Sequence, residues 1–131
     1  MKRSTIQGGL CMAAILFLSI PAAASAASLR LRCETRTDPL RSKISVDGRN
    51  VTPNAMYSAR VISGNNESTA GPRVAVGDEV EFDFDSDRGD IRKGAKAIAP
   101  NFIRNHSVRA VIFNASGQII AGPKTATCES H

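Results

Sequence analysis

Four carboxylates stand within one short run, Asp83-Phe-Asp-Ser-Asp-Arg-Gly-Asp90. Hard cations take several oxygen ligands, and a D-x-D-x-D spacing can present them along one loop. Asp83, Asp85, Asp87 and Asp90 are therefore the candidate calcium ligands. The run departs from an EF-hand loop, because Gly89 comes one place late and Gly94 stands where a bidentate Glu belongs. The plainer reading is that Asp83 and Asp85 continue the solvated face of a strand, neutralised by basic side chains on its neighbour.

Other chemistry is sparse. His106 and His131 are the histidines, and His131 is the last residue. Ser116 lies in Ala-Ser-Gly, which reads as a turn, and the G-x-S-x-G nucleophile elbow is absent. Arg104, Asn105 and His106 read as a polar lead into a strand. No catalytic constellation emerges, and the expectation is a protein that is not an enzyme. Arg88-Gly89-Asp90 and the sequons at Asn50, Asn66, Asn105 and Asn114 are incidental to this reading.

The elements that would position these residues begin after a leader. Lys2 and Arg3 precede an apolar stretch from Leu10 to Ile20, Pro21 breaks it, and small residues follow from Ala22 to Ala27. This order predicts a signal peptide over residues 1–27, cleaved after Ala27 or, nearly as well, after Ala26. Cys11 leaves with it. The mature domain, 28–131, then holds two cysteines, Cys33 and Cys128, and export to an oxidising periplasmic or extracellular space predicts a disulfide between them. No second apolar run reaches membrane-spanning length, so no transmembrane segment is expected in the mature chain.

The formal charge of +5 includes Lys2 and Arg3. The remaining charge is segregated: residues 30–60 are mostly basic, and residues 78–90 are mostly acidic. Such segregation suits faces that complement each other within a fold. With one Tyr and no Trp, the chain lacks stacking platforms for bases, and a nucleic-acid partner is not expected.

Period-2 alternation runs through the mature chain. Leu29, Leu31 and Cys33 alternate with Arg30, Arg32 and Glu34. Lys43 to Val46 forms a strand leading into a predicted Asp47-Gly48 turn. Tyr57 to Ile62 is a strand, Ser63 to Pro72 a polar loop, and Glu79 to Asp85 the clearest strand, with Val80, Phe82 and Phe84 inward. Residues 86–105 are irregular, with Ile98, Phe102 and Ile103 as core plugs. Ser107 to Asn114 reads as a central strand, and Gly122-Pro123 as a break before Thr125 to Glu129. Six to eight short strands and no helical period predict a single all-β, antiparallel sandwich, immunoglobulin-like in general form. Leu31, Val46, Val61, Val80, Phe82, Phe84, Val108, Ala110, Ile112 and Ile120 should be buried in it.

The run Arg41 to Gly48, followed by Gly77 to Ser86, resembles a group of small exported bacterial proteins of unknown function. Val108 to Cys128 is similar to the last strands of immunoglobulin-like or fibronectin-type-III-like sandwiches. The resemblance implies a fold and an exported location, and no activity. The expected function is a non-enzymatic binding or structural protein with an unknown envelope or extracellular partner. The alternatives are a divalent-cation (calcium)-binding domain, or a small inhibitor of an exported enzyme.

Overall fold

A computed structural model describes residues 26–131. The signal-peptide reading and Cys11 lie outside them, apart from Ala26 and Ala27. Alternation becomes structure directly in β1 (Ser28–Thr37), β2 (Leu40–Arg49), β3 (Met56–Ser63) and β5 (Glu79–Asp85), each burying every second residue along most of its length. The other elements are β4 (Asn66–Val74), α1 (Arg88–Arg92), β6 (Lys96–Ala97), β7 (Ser107–Asn114), β8 (Ile119–Thr127) and β9 (Glu129–Ser130).

Two sheets form, ordered β6-β5-β2-β1-β9 and β4-β3-β7-β8. The chain is therefore an all-β sandwich. With β4 in the place of strand C′, the second sheet has the C′-C-F-G order of immunoglobulin-type sandwiches. The long pairings are antiparallel, while the two-residue strands β6 and β9 pair in parallel with β5 and β1. Between the sheets lie Ile44, Val46, Val61, Phe82, Phe84 and Ile112, all sealed from solvent. The expected core residues are buried, with Ile120 the exception: it is half-buried and packs against the core from outside.

Three local expectations are corrected. Asp47-Gly48 is not a turn but continues β2, with Gly48 opposite Leu29 on one side and Val80 on the other. A Cβ there would meet Val80 Cγ1 at 2.9 Å and Ile112 Cδ1 at 3.0 Å, so the position needs a missing side chain for close packing. Ser63 to Pro72 is not a loop: after Gly64-Asn65 the chain returns as β4, whose polar character reflects its place at a sheet edge. Gly122-Pro123 does not interrupt β8. Gly71-Pro72 in β4 and Gly122-Pro123 in β8 sit on the two edge strands at register shifts, where a missing N–H is tolerated. Gly71 and Gly122 have φ of 106° and 90° and lie against backbone of the adjacent strand, conformations only glycine adopts readily.

The irregular crossover from β5 to β7 passes under one end of the sandwich. Phe102 and Ile103 plug the core there, as expected, with Ile98 packed beside it. Two buried serines satisfy its backbone. Ser42 Oγ donates to Pro100 O (2.7 Å) and accepts from the Ile103 N–H (3.2 Å). Ser63 Oγ donates to Ser107 O and accepts from the Arg104 N–H, both at 2.7 Å. Asn66 Nδ2 donates to Phe102 O at 2.7 Å. Without such partners this buried non-strand backbone would carry unsatisfied polar groups.

Candidate functional site

The acidic run spans the end of β5 and α1. Strand alternation puts Asp83 and Asp85 on the outer face of the first sheet, across from Ser45 and Lys43 of β2. Asp83 is exposed and accepts a hydrogen bond from Ser45 Oγ at 3.0 Å. Asp85 is buried to 1 % exposure. Arg41, from the start of β2, lies over it: Nε donates to Asp85 Oδ1 at 2.9 Å and Nη2 to Asp85 Oδ2 at 2.7 Å. Nη2 also reaches Asp90 Oδ2 at 2.7 Å, and Lys43 Nζ stands 3.8 Å from the same oxygen.

Asp87 has a different task. Its Oδ2 accepts from the Asp90 N–H at 3.1 Å, capping α1, while its own N–H donates to Asp85 Oδ1 at 2.9 Å. Thus Asp85 and Asp90 converge on Arg41, Asp87 braces the turn beside them, and Asp83 stands apart along the strand. Burial pushes the Asp85 carboxyl up, but Arg41 and the Asp87 N–H outweigh it, so its pKa falls below the ordinary carboxylate value. The hydrogen bond to Asp85 is the main reason the Arg41 guanidinium holds its proton even more firmly than usual.

Both Asp85 oxygens are already engaged, and a cation there would compete with a bidentate guanidinium. Among the described residues, no three His, Cys, Asp or Glu side chains form a ligand set for a metal ion. Arg41 was not singled out by spacing. The signal available was its place in the basic segment that becomes the strand beside the acidic one.

Beyond this cluster, the outer face of the first sheet is a ladder of opposite charges. Arg49 faces Glu79 (3.5 Å), Arg32 reaches Asp47 (3.4 Å), and Arg36 pairs with Glu34 (3.0 Å). An open depression of about 740 Å³ lies on this face, lined by Arg32, Glu34, Lys43, Asp83, Asp90 and Lys93 among others. Its walls alternate in sign, so it offers no concentrated field to a ligand of either charge.

No protein-family model, curated protein or solved structure matches this chain. The chemistry of the fold therefore rests on its own geometry. A hydroxyl and an imidazole do meet: Ser130 Oγ lies 3.1 Å from His106 Nδ1, both exposed. Glu129 Oε1 lies 3.5 Å from His131 Nε2 instead of orienting His106. His106 itself forms a tight turn with Asn105, both at φ 53°, linking Arg104 to Ser107. That is the polar lead into the central strand, a structural task.

The predicted bridge is present. Cys33 and Cys128 form a disulfide with Cα atoms 4.7 Å apart, closing a span of 95 residues. Beside it, β9 pairs with β1 at Glu34 and Thr35, tying the chain end to its first strand. No helix among the described residues is long and apolar enough to cross a membrane.

Proposed function

We propose that this chain is an exported, non-enzymatic binding or structural domain of the periplasm or extracellular space, released from its leader after Ala27. A disulfide suits an oxidising compartment. The observation that carries the binding role is the contrast between the two outer faces. The first sheet's strands carry basic and acidic residues in equal number, largely spent on one another. The second sheet instead leaves Met56, Val74 and Ile119 exposed at one end of its outer face, beside half-buried Phe113. Contiguous exposed apolar side chains on a small domain mark contact surfaces.

The test is photo-crosslinking in a Gram-negative host expressing the full chain. A crosslinkable residue at Ser58 should yield a discrete adduct in the periplasmic fraction, and one at Glu81 should yield none. The recovered protein should have a mass beginning at Ser28. Cytoplasmic retention, or silence from both faces, would remove the proposal. A protease as the adduct would turn the reading toward an inhibitor.

A further inference from the structure

The second sheet's outer face contains a groove with an unusual centre. Arg60 of β3 and Phe113 of β7 lie on a cross-strand diagonal, because Arg60 pairs with Val111 and Ser58 pairs with Phe113. The Arg60 guanidinium lies over the Phe113 ring, 4.7 Å from its centroid. Around this pair, Met56, Ser58, Pro72, Asn114 and Gly117 line a shallow, open depression of about 470 Å³. Among the described residues, Arg60 is the one charged residue in that lining.

The hydrogen bonding of Arg60 is incomplete. Its Nε is shut off from water and has no hydrogen-bond partner. Glu67 Oε2 comes within 3.3 Å, near enough to attract but misaligned for a bond, and that side chain is more than half exposed. Arg41, the counterpart on the opposite sheet, by contrast engages Asp85 and Asp90 through both Nε and Nη2. Glu67 leaves the Nη groups of this stacked guanidinium without a hydrogen bond among the described residues, and its held geometry suits an acceptor supplied there from outside.

We propose that this groove docks an extended segment of a partner protein in which an apolar side chain stands next to an Asp or Glu. The inference rests on the binding role proposed above and names its chemistry. The carboxylate would sit on the free edge of the Arg60 guanidinium, and the apolar side chain would lie among Met56, Pro72 and Phe113. Val74, opposite Met56, and Ile119, opposite Phe113, extend the apolar surface for flanking residues. A lipid surface fits less well. Anionic headgroups recruit clusters of Lys and Arg, whereas among the described residues this face offers Arg60 and Arg109, offset by the opposite charge of Glu67.

A phage-displayed random peptide library panned against the disulfide-intact domain tests this. Enriched sequences should place Asp or Glu beside a large apolar residue, and replacing that acid with its amide should weaken binding about tenfold. Arg60→Gln should lose the same factor and become indifferent to the amide replacement. Arg60→Lys should fall between, keeping charge and losing the flat stacked fork. Intact mass and an unchanged amide spectrum establish that each variant is folded. Enrichment without acids, no enrichment, binding unaffected by Arg60→Gln, or peptide-induced shifts on the first sheet would overturn the groove. In those cases, survival of the Ser58 adduct in an Arg60→Gln background would leave the binding role standing without it.

Discussion

At the scale of single residues, the domain depends on side chains whose types look ordinary until their partners are known. Arg41 neutralises and covers a carboxylate that is 1 % exposed, so Arg41→Ala should strip Asp85 of its counter-ion and part of its cover, costing up to about 3–5 kcal/mol by chemical denaturation. The sign of the pH effect follows from the lowered pKa of Asp85. An unfolded Asp titrates near ~3.9, so the pair's contribution is complete above about pH 4 and is lost as pH falls through the lower native value. Melting temperature should then fall less steeply with acid in Asp85→Asn than in the unaltered domain. Parallel acid limbs would contradict the assignment. Gly48→Ala tests a different constraint, a Cβ at 2.9 Å from Val80, and should destabilise by about 1–3 kcal/mol. A neutral effect would mean that the Val80 and Ile112 side chains shift aside at no cost.

At the scale of elements, the strands with one buried face were legible and the edges were not. β5 came out with its predicted bounds because Val80, Phe82 and Phe84 alternate with acids without a break. β4 was missed since an edge strand needs little apolar sequence, and its Ser, Thr and Asn residues match a loop in composition. The same ambiguity hid Ser42 and Ser63. A serine inside an alternating strand reads as outward polarity or nothing, whereas here each hydroxyl faces inward and holds the crossover. Ser42→Ala should therefore cost about 1–3 kcal/mol, since the Ile103 N–H and the Pro100 carbonyl lose their shared partner. Hydrogen exchange should place the faster amides in residues 98–104, with strand β2 still protected. Uniform loss across both sheets would show that the crossover is not a separable element.

For the whole molecule, the disulfide reinforces a closure that sheet pairing makes with only the two residue pairs of β1 and β9. β1 and β8 belong to different sheets yet run beside each other, and Cys33–Cys128 joins that seam while Lys124 Nζ donates to Leu29 O at 3.2 Å. Loop-closure entropy over a span of 95 residues is worth about 4–5 kcal/mol in the chain-entropy model. Reduction should lower the denaturation midpoint by a corresponding amount, and Cys33→Ala/Cys128→Ala should reproduce it. Equal midpoints before and after reduction would show that packing alone secures the seam.

The sequence by itself determined the layer architecture, most of the core and the cysteine pair. Period 2 with one apolar set per strand permits only sheets that hide a face, and the two cysteines that follow the predicted leader, Cys33 and Cys128, have one partner each. It also separated basic from acidic segments, and so anticipated that one would neutralise the other. Only the tertiary structure decided which carboxylate is buried, since Asp83 and Asp85 share a strand face and differ in whether Arg41 and α1 cover them. Likewise, nothing in the spacing of Arg60 and Phe113 links them across 53 positions; β3 and β7 must pair before the guanidinium can find the ring. Local periodicity reports which face a residue takes, and strand order and register report what it meets there.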